Sequence, residues 1–164
     1  MKTLLLLRHA KSSWHDVGQT DFERPLNARG LKAAPLIGRF MRKQKIRPDL
    51  MLSSPAERAR QTAMLVVEAA KITAEVRYDE RIYEASVPRL LEVVSQIEDA
   101  ANIVLLVGHN PGLEELLAQL TGQVRQMPTG ALAHITLGLE RWSKIRANTG
   151  QLDWLVKPKE LPGR

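Results

Sequence analysis

The chain contains no cysteine, which excludes disulfides, thiolate metal sites and a cysteine nucleophile. Aromatic residues are scarce, at 4%, and never alternate with basic residues in the manner of surfaces that stack single-stranded bases, so no nucleic-acid partner is expected. Long apolar runs are missing as well. Nothing approaches the roughly 20 residues that cross a bilayer, and the leucines after Lys2 stop at Arg8, short of the roughly seven to fifteen apolar residues of an export signal. The expectation is a soluble, cytoplasmic protein with no membrane partner. There is no P-loop or GxGxxG segment, and His9 and His109 lack the short helical spacing of a zinc site, so neither cofactor nor metal is expected. Acidic residues are also in deficit: 24 lysines and arginines against 18 aspartates and glutamates leave a net charge of +6, which favours anionic partners.

The 164 residues are 44% hydrophobic and 26% charged, ordinary for one globular domain over 1–164 with a substantial core. Its organising stretch is Thr3-Leu4-Leu5-Leu6-Leu7-Arg8-His9-Ala10. Four consecutive leucines suit a strand covered on both faces, and Arg8 and His9 then stand at its carboxyl end, the edge of an open α/β sheet where ligands bind.

Along the chain, 10–26 reads as a loop, followed by a helix capped by Asn27 that runs to about 43, with a kink at Pro35 or its main body starting there. A strand at 49–52 leads into Ser53-Ser54-Pro55-Ala56-Glu57-Arg58, where Ser54 with Glu57 predicts a capping box and a helix to about 70. A strand at 74–78 precedes a loop holding Glu84, and Ser86 with Pro88 opens a helix carrying Leu90, Val94 and Ile97. The branched run at 102–107 predicts the next strand, ending in Gly108-His109-Asn110-Pro111-Gly112; Asn110 caps a helix with Leu113, Leu116, Leu117 and Leu120 on one stripe, closed by Gly122. Strands at 131–139 and 152–156 suggest an edge hairpin, and the tail at 157–164, with Pro158 and Pro162, reads as loosely held. Alternating strands and helices imply a three-layer α/β/α sandwich with a mostly parallel central sheet.

Three strand-to-helix junctions thus deliver Arg8 with His9, Arg58, and His109 toward one sheet edge. Two guanidiniums can hold a phosphoryl group through paired hydrogen bonds, and a neutral imidazole can attack its phosphorus. These segments, with Arg24-Pro25-Leu26 and Gly30, and with Ala59, Gln61 and Thr62 after Arg58, resemble the histidine phosphatase superfamily, most closely its short SixA-like branch. The resemblance implies a phosphoglycerate mutase-like fold, a phosphorylated nucleophile at His9, a clamp of Arg8 and Arg58, a second pocket histidine at His109, and no metal or organic cofactor. Ala10 departs from the glycine usual at that position.

Arg24 is a candidate substrate-binding cation because its loop follows His9, whereas Lys11 reads as a solvated charge and His15 and His134 as ordinary loop and strand residues. Glu84 falls where many members place an acidic residue, which makes it the candidate proton donor, or else a solvated loop carboxylate. An alkoxide leaving group needs that proton; imidazole, with a pKa of about 6.5, needs it far less. The expected substrate is therefore phosphohistidine in a phosphorylated protein. The alternatives are a phosphatase of small phosphate esters that depends on Glu84, and a noncatalytic phosphoprotein-binding module.

Overall fold

The computed structural model describes residues 1–14 and 18–163. Six strands, β1 (Lys2–Arg8), β2 (Leu50–Ser53), β3 (Glu75–Tyr78), β4 (Ile103–Gly108), β5 (Leu132–Leu137) and β6 (Gly150–Val156), form one sheet in the order β3-β2-β4-β1-β5-β6. The first four in that order run parallel, β5 runs against them, and β6, antiparallel to β5, runs with them, so the sheet is mixed with a parallel majority. Four helices, α1 (Ala28–Lys43), α2 (Glu57–Ala70), α3 (Val87–Ser95) and α4 (Gly112–Thr121), complete the three layers.

Successive leucines of β1 point to opposite faces, and each face has its own core. Leu4 and Leu6 pack with Leu90 and Val94 of α3 and Leu113 and Leu117 of α4. Leu5 and Leu7 pack with Ile37 and Met41 of α1 and Ala59, Ala63 and Val66 of α2. All four are fully buried, each contributing roughly 1.5–3 kcal/mol. This double cover is why the run reads as unbroken leucine rather than alternating with polar residues.

Several local details differ from the sequence reading. The body of α1 begins at Ala28 rather than at Pro35, and the helix runs through the proline because the packing of Ala34, Leu36, Ile37 and Met41 outweighs the one hydrogen bond its ring removes. The capping box at α2 does not form: the N-cap position is Ala56, Ser54 Oγ accepts from the Ala56 N–H, and Glu57 instead pairs with Arg60 at 2.8 Å. At α4 the N-cap position is Pro111, and Asn110 Oδ1 accepts from Glu114 N from one residue earlier. The residues after β6 form a 3-10 turn at Pro158–Glu160, and Leu161 packs against the α1/α2 core, although the two prolines suggested a loose tail. Among the described residues no helix is long and apolar enough to cross a membrane.

The register aligns the carboxyl ends of the central strands. Arg8 lies beside Gly108, and Ser53 beside Val107, so the segments that follow β1, β2 and β4 emerge at one edge. The first of these is tied down by α1. Asn27 donates its N–H to the Lys11 carbonyl at 3.0 Å, caps the helix by accepting from Gly30 N at 2.9 Å, and donates its side-chain amide to Ser13 Oγ at 2.7 Å. Gly30 is required by close approach, because a Cβ there would stand 2.1 Å from the Lys11 carbonyl oxygen. Gly30→Ala is expected to cost about 1–3 kcal/mol, read as a fall in the midpoint of urea unfolding, because neither backbone can yield without disturbing the segment after His9.

Candidate active site

His9 follows β1 immediately and is 93% buried, given its 7% relative exposure. Its Nδ1 lies 2.7 Å from the Ala10 carbonyl oxygen, and a carbonyl only accepts, so Nδ1 carries the proton and the neutral ring keeps its lone pair on Nε2. Arg58 Nε–H points at that lone pair from 3.4 Å. The Ala10 backbone is held in turn: its N–H donates to Thr62 Oγ1 at 3.0 Å, and Thr62 donates to the Arg58 carbonyl at 2.7 Å. Thr62, one turn beyond Arg58 in α2, therefore couples the backbone that follows His9 to the helix that delivers the guanidinium.

Arg58 is anchored by a residue the sequence reading did not single out. Asp21 accepts from Arg58 twice, on its carbonyl at 2.7 Å and on Oδ2 at 3.0 Å. The same carboxylate accepts from Arg24 Nη2 at 3.0 Å and from the Tyr83 hydroxyl at 2.6 Å. Arg24 also donates to Ser12 Oγ and covers the face of the exposed Trp14 at 4.9 Å. Burial alone would raise the Asp21 carboxyl, yet the bonds from Tyr83, Arg24 and Arg58 hold it far below the usual carboxylate range. Asp21 is thus a fixed anion and not a proton donor.

His109 stands beside His9, with ring centroids 5.1 Å apart, and Tyr83 meets it edge to face at 5.6 Å. Its Nε2 is 2.7 Å from Ser54 Oγ. That oxygen also accepts from Ala56 N, and the buried Nδ1 of His109 is without a partner among the described residues. Arg8 is fixed by donating from Nη1 to the Met127 carbonyl at 3.1 Å, a carbonyl that also accepts from Asn110 Nδ2 at 2.9 Å. Arg8 Nε and Arg24 Nε are likewise buried donors without a partner among the described residues. A buried N–H left unbonded is costly, and several in one cluster suit an anion with several acceptor oxygens.

The fold therefore gathers His9, Arg8, Arg58, His109 and Arg24 at one edge. Glu84 is placed differently. It is exposed, lies on a left-handed backbone (φ 52°) after the turn at Glu80–Ile82, and forms no hydrogen bond with His9, His109, Arg8 or Arg58. Its carboxylate joins burial and Asp21 in pushing the Tyr83 phenol up. His134 pairs with Asp153 at 2.8 Å and stacks on Trp154, an ordinary strand position, and His15 lies outside the described residues. Among the described residues no group of three or more His, Asp or Glu is arranged to ligate a metal. Asp21 has one sequence signal, its place three residues before Arg24; Ser54 has the spacing of a helix cap and bonds to His109 instead.

Residues 4–89 match the family model described as histidine phosphatase superfamily (branch 1). The chain belongs to this superfamily. Among its relatives, an uncharacterized protein of Mycobacterium tuberculosis is 38% identical over 119 residues, 71% of this chain and 72% of that one. The structure of a candidate phosphohistidine phosphatase SixA from Agrobacterium tumefaciens superposes with a TM-score of 0.81 at 31% identity, covering 96% of this chain and 98% of that one. A protein histidine phosphatase SixA solved with tungstate shares the fold, with a TM-score of 0.84 at 22% identity, 96% of this chain and 98% of that one being covered. Family and neighbours place the chain in the SixA-like branch and support phosphatase activity.

In this histidine phosphatase Ala10 is fully buried, with its N–H on Thr62 and its carbonyl on His9, so the departure from glycine leaves both backbone groups paired. The imidazoles are strongly biased toward neutrality. Burial, opposed by the Ala10 carbonyl and reinforced by Arg58, Arg8 and Arg24, lowers His9 to about 4; burial, His9 and Arg58 lower His109 to about 3. An unfolded chain, with histidines near 6.5, binds more protons than the folded one between that value and about 4, so stability rises with pH across the window and falls on acidification. Urea unfolding at pH 6.5 and 4.5 should show this loss, at up to about 1.4 kcal/mol per pH unit for each imidazole, and His9→Gln should make the dependence shallower by about half.

Proposed function

We propose that the chain is a phosphohistidine phosphatase that works through a phosphorylated His9. The observation that carries this reading is the fixed tautomer: a buried ring whose Nδ1–H is committed to the Ala10 carbonyl and whose Nε2 lone pair faces Arg58. Nε2 attacks phosphorus in line, a new N–P bond forms, and the bond from phosphorus to the substrate ring breaks, that ring, protonated on its other nitrogen, departing as neutral imidazole. Arg8, Arg58 and Arg24 offset the charge on the three equatorial oxygens, and His109 is a further donor to them from Nδ1, in the tautomer whose Nε2 accepts from the Ser54 hydroxyl. The positive charge on phosphorylated His9 is eased by its Nδ1–H bond to the Ala10 carbonyl. Water then attacks phosphorus, the N–P bond breaks, and phosphate departs as His9 returns to its neutral form.

The choice of leaving group follows from the carboxylates. Asp21 is locked as an anion by three donors, and Glu84 is exposed and unbonded to the imidazoles and to Arg8 and Arg58, so neither is set up as a buried acid. A leaving imidazole, unlike an alkoxide, departs with little protonic help. This supports phosphohistidine over small phosphate esters.

Phosphate release from a phosphohistidine peptide should fall by at least three orders of magnitude in His9→Ala, and rapid quench in alkali should trap an acid-labile phosphoryl group on the wild type alone. Equal release by both proteins refutes the nucleophile. Glu84→Gln should change kcat on the peptide less than threefold; a loss of a hundredfold or more on sugar phosphates with the peptide spared transfers the reading to ester hydrolysis through Glu84.

A further inference from the structure

Beside the pocket, at the same sheet edge, lies a groove of about 560 Å³ whose charged lining is entirely basic: Lys11, Arg29, Lys32, Lys157 and Lys159. Its placement follows from topology. Helix α1 begins, β5 begins and β6 ends at the edge where β1 releases His9. Two backbone links join groove to pocket: Lys11 is two residues past His9, and Thr129 of the groove precedes Gly130, whose N–H donates to the Arg8 and His9 carbonyls at 3.1 and 3.0 Å.

Four of these charges, those of Lys11, Arg29, Lys32 and Lys157, are not engaged in ion pairs among the described residues. Arg29 and Lys32 sit in the first turns of α1, which carries no acid in its first turn, although the positive end of a helix disfavours cations. A cluster of like charges kept at a cost to the helix is complementary to an anionic ligand. The lining holds no aromatic side chain on which a base could stack, which favours carboxylates over nucleic acid.

We propose that this groove docks an acidic surface of the protein whose phosphohistidine enters the pocket, a proposal that rests on the phosphohistidine reading above. One substrate then meets two sites: its phosphoryl group the arginine and histidine cluster, its flanking carboxylates the groove. The groove lowers KM for acidic phosphoproteins and leaves the chemical step untouched.

The test uses two peptides, each with one phosphohistidine, flanked either by glutamates or by glutamines, and phosphoramidate as a substrate too small to reach the groove. Wild type should show a kcat/KM about tenfold higher on the glutamate peptide, through KM, with the advantage fading as salt rises. Arg29→Glu combined with Lys32→Glu should erase the preference while phosphoramidate turnover stays unchanged; both changes place acid where the helix favours it, and the paired glutamine variants should move KM in the same direction by less. Arg42→Glu with Arg47→Glu, in a second basic cleft at the opposite edge, controls for net charge and should keep the preference. Equal kcat/KM on both peptides in wild type, a preference that survives in Arg29→Glu/Lys32→Glu, or one lost equally in Arg42→Glu/Arg47→Glu overturns the docking site and leaves the phosphohistidine reading standing. Inhibition by a single-stranded oligonucleotide that outcompetes the glutamate peptide, and that the first variant abolishes, reassigns the groove to nucleic acid. If wild type releases phosphate from neither peptide, the phosphohistidine reading fails and the docking proposal with it.

Discussion

An imidazole kept neutral among guanidiniums is the constraint on which the site depends. His9 is buried near Arg58, Arg8 and Arg24, and every one of these influences opposes a second positive charge. The proton it retains is directed by one backbone carbonyl, that of Ala10. Much of the surrounding structure serves that arrangement: Thr62 holds the Ala10 N–H, Asn27 and Gly30 hold the Lys11 backbone, and Gly130 holds the carbonyls of Arg8 and His9. His9 is thus positioned mainly through main-chain atoms, which is consistent with the tolerance of alanine at position 10.

The arginines need the opposite treatment. Clustered cations repel one another, and Asp21 answers this by accepting from Arg24 and Arg58 while Tyr83 secures it from a different loop. A single carboxylate sets the spacing of two guanidiniums and remains ionised because of them. The same bonds that make it a counterion disqualify it as an acid. In this way the electrostatics of the pocket fix the ionisation of its carboxylate as well as the spacing of its cations.

The elements of the fold were largely legible because each obeys one rule of burial. The runs in β1 and β4 are apolar without alternation since both faces are covered, and the leucine stripe of α4 meets only one core. Errors arose where a polar side chain had two possible partners. Ser54 had the spacing of a helix cap, but its hydroxyl serves His109, a residue 55 positions away. Asn110 likewise divides its side chain between Glu114 and Met127. Asp21 carried little signal, because its partners Arg58 and Tyr83 lie 37 and 62 residues on and loops have no periodicity to read.

By itself the sequence determined the superfamily, through the motifs it shares with it, and the layered α/β architecture and the histidines and arginines that reach one edge, because strand ends, helix starts and apolar periods are local and topology then carries strand ends together. Only the tertiary structure decided which nitrogen of His9 holds its proton, which carboxylate anchors the arginines, and where Glu84 lies relative to the pocket. Those are matters of distance and direction between side chains far apart in the chain, and hydrogen bonding, which fades beyond about 3.5 Å, leaves no periodic mark on the order of residues.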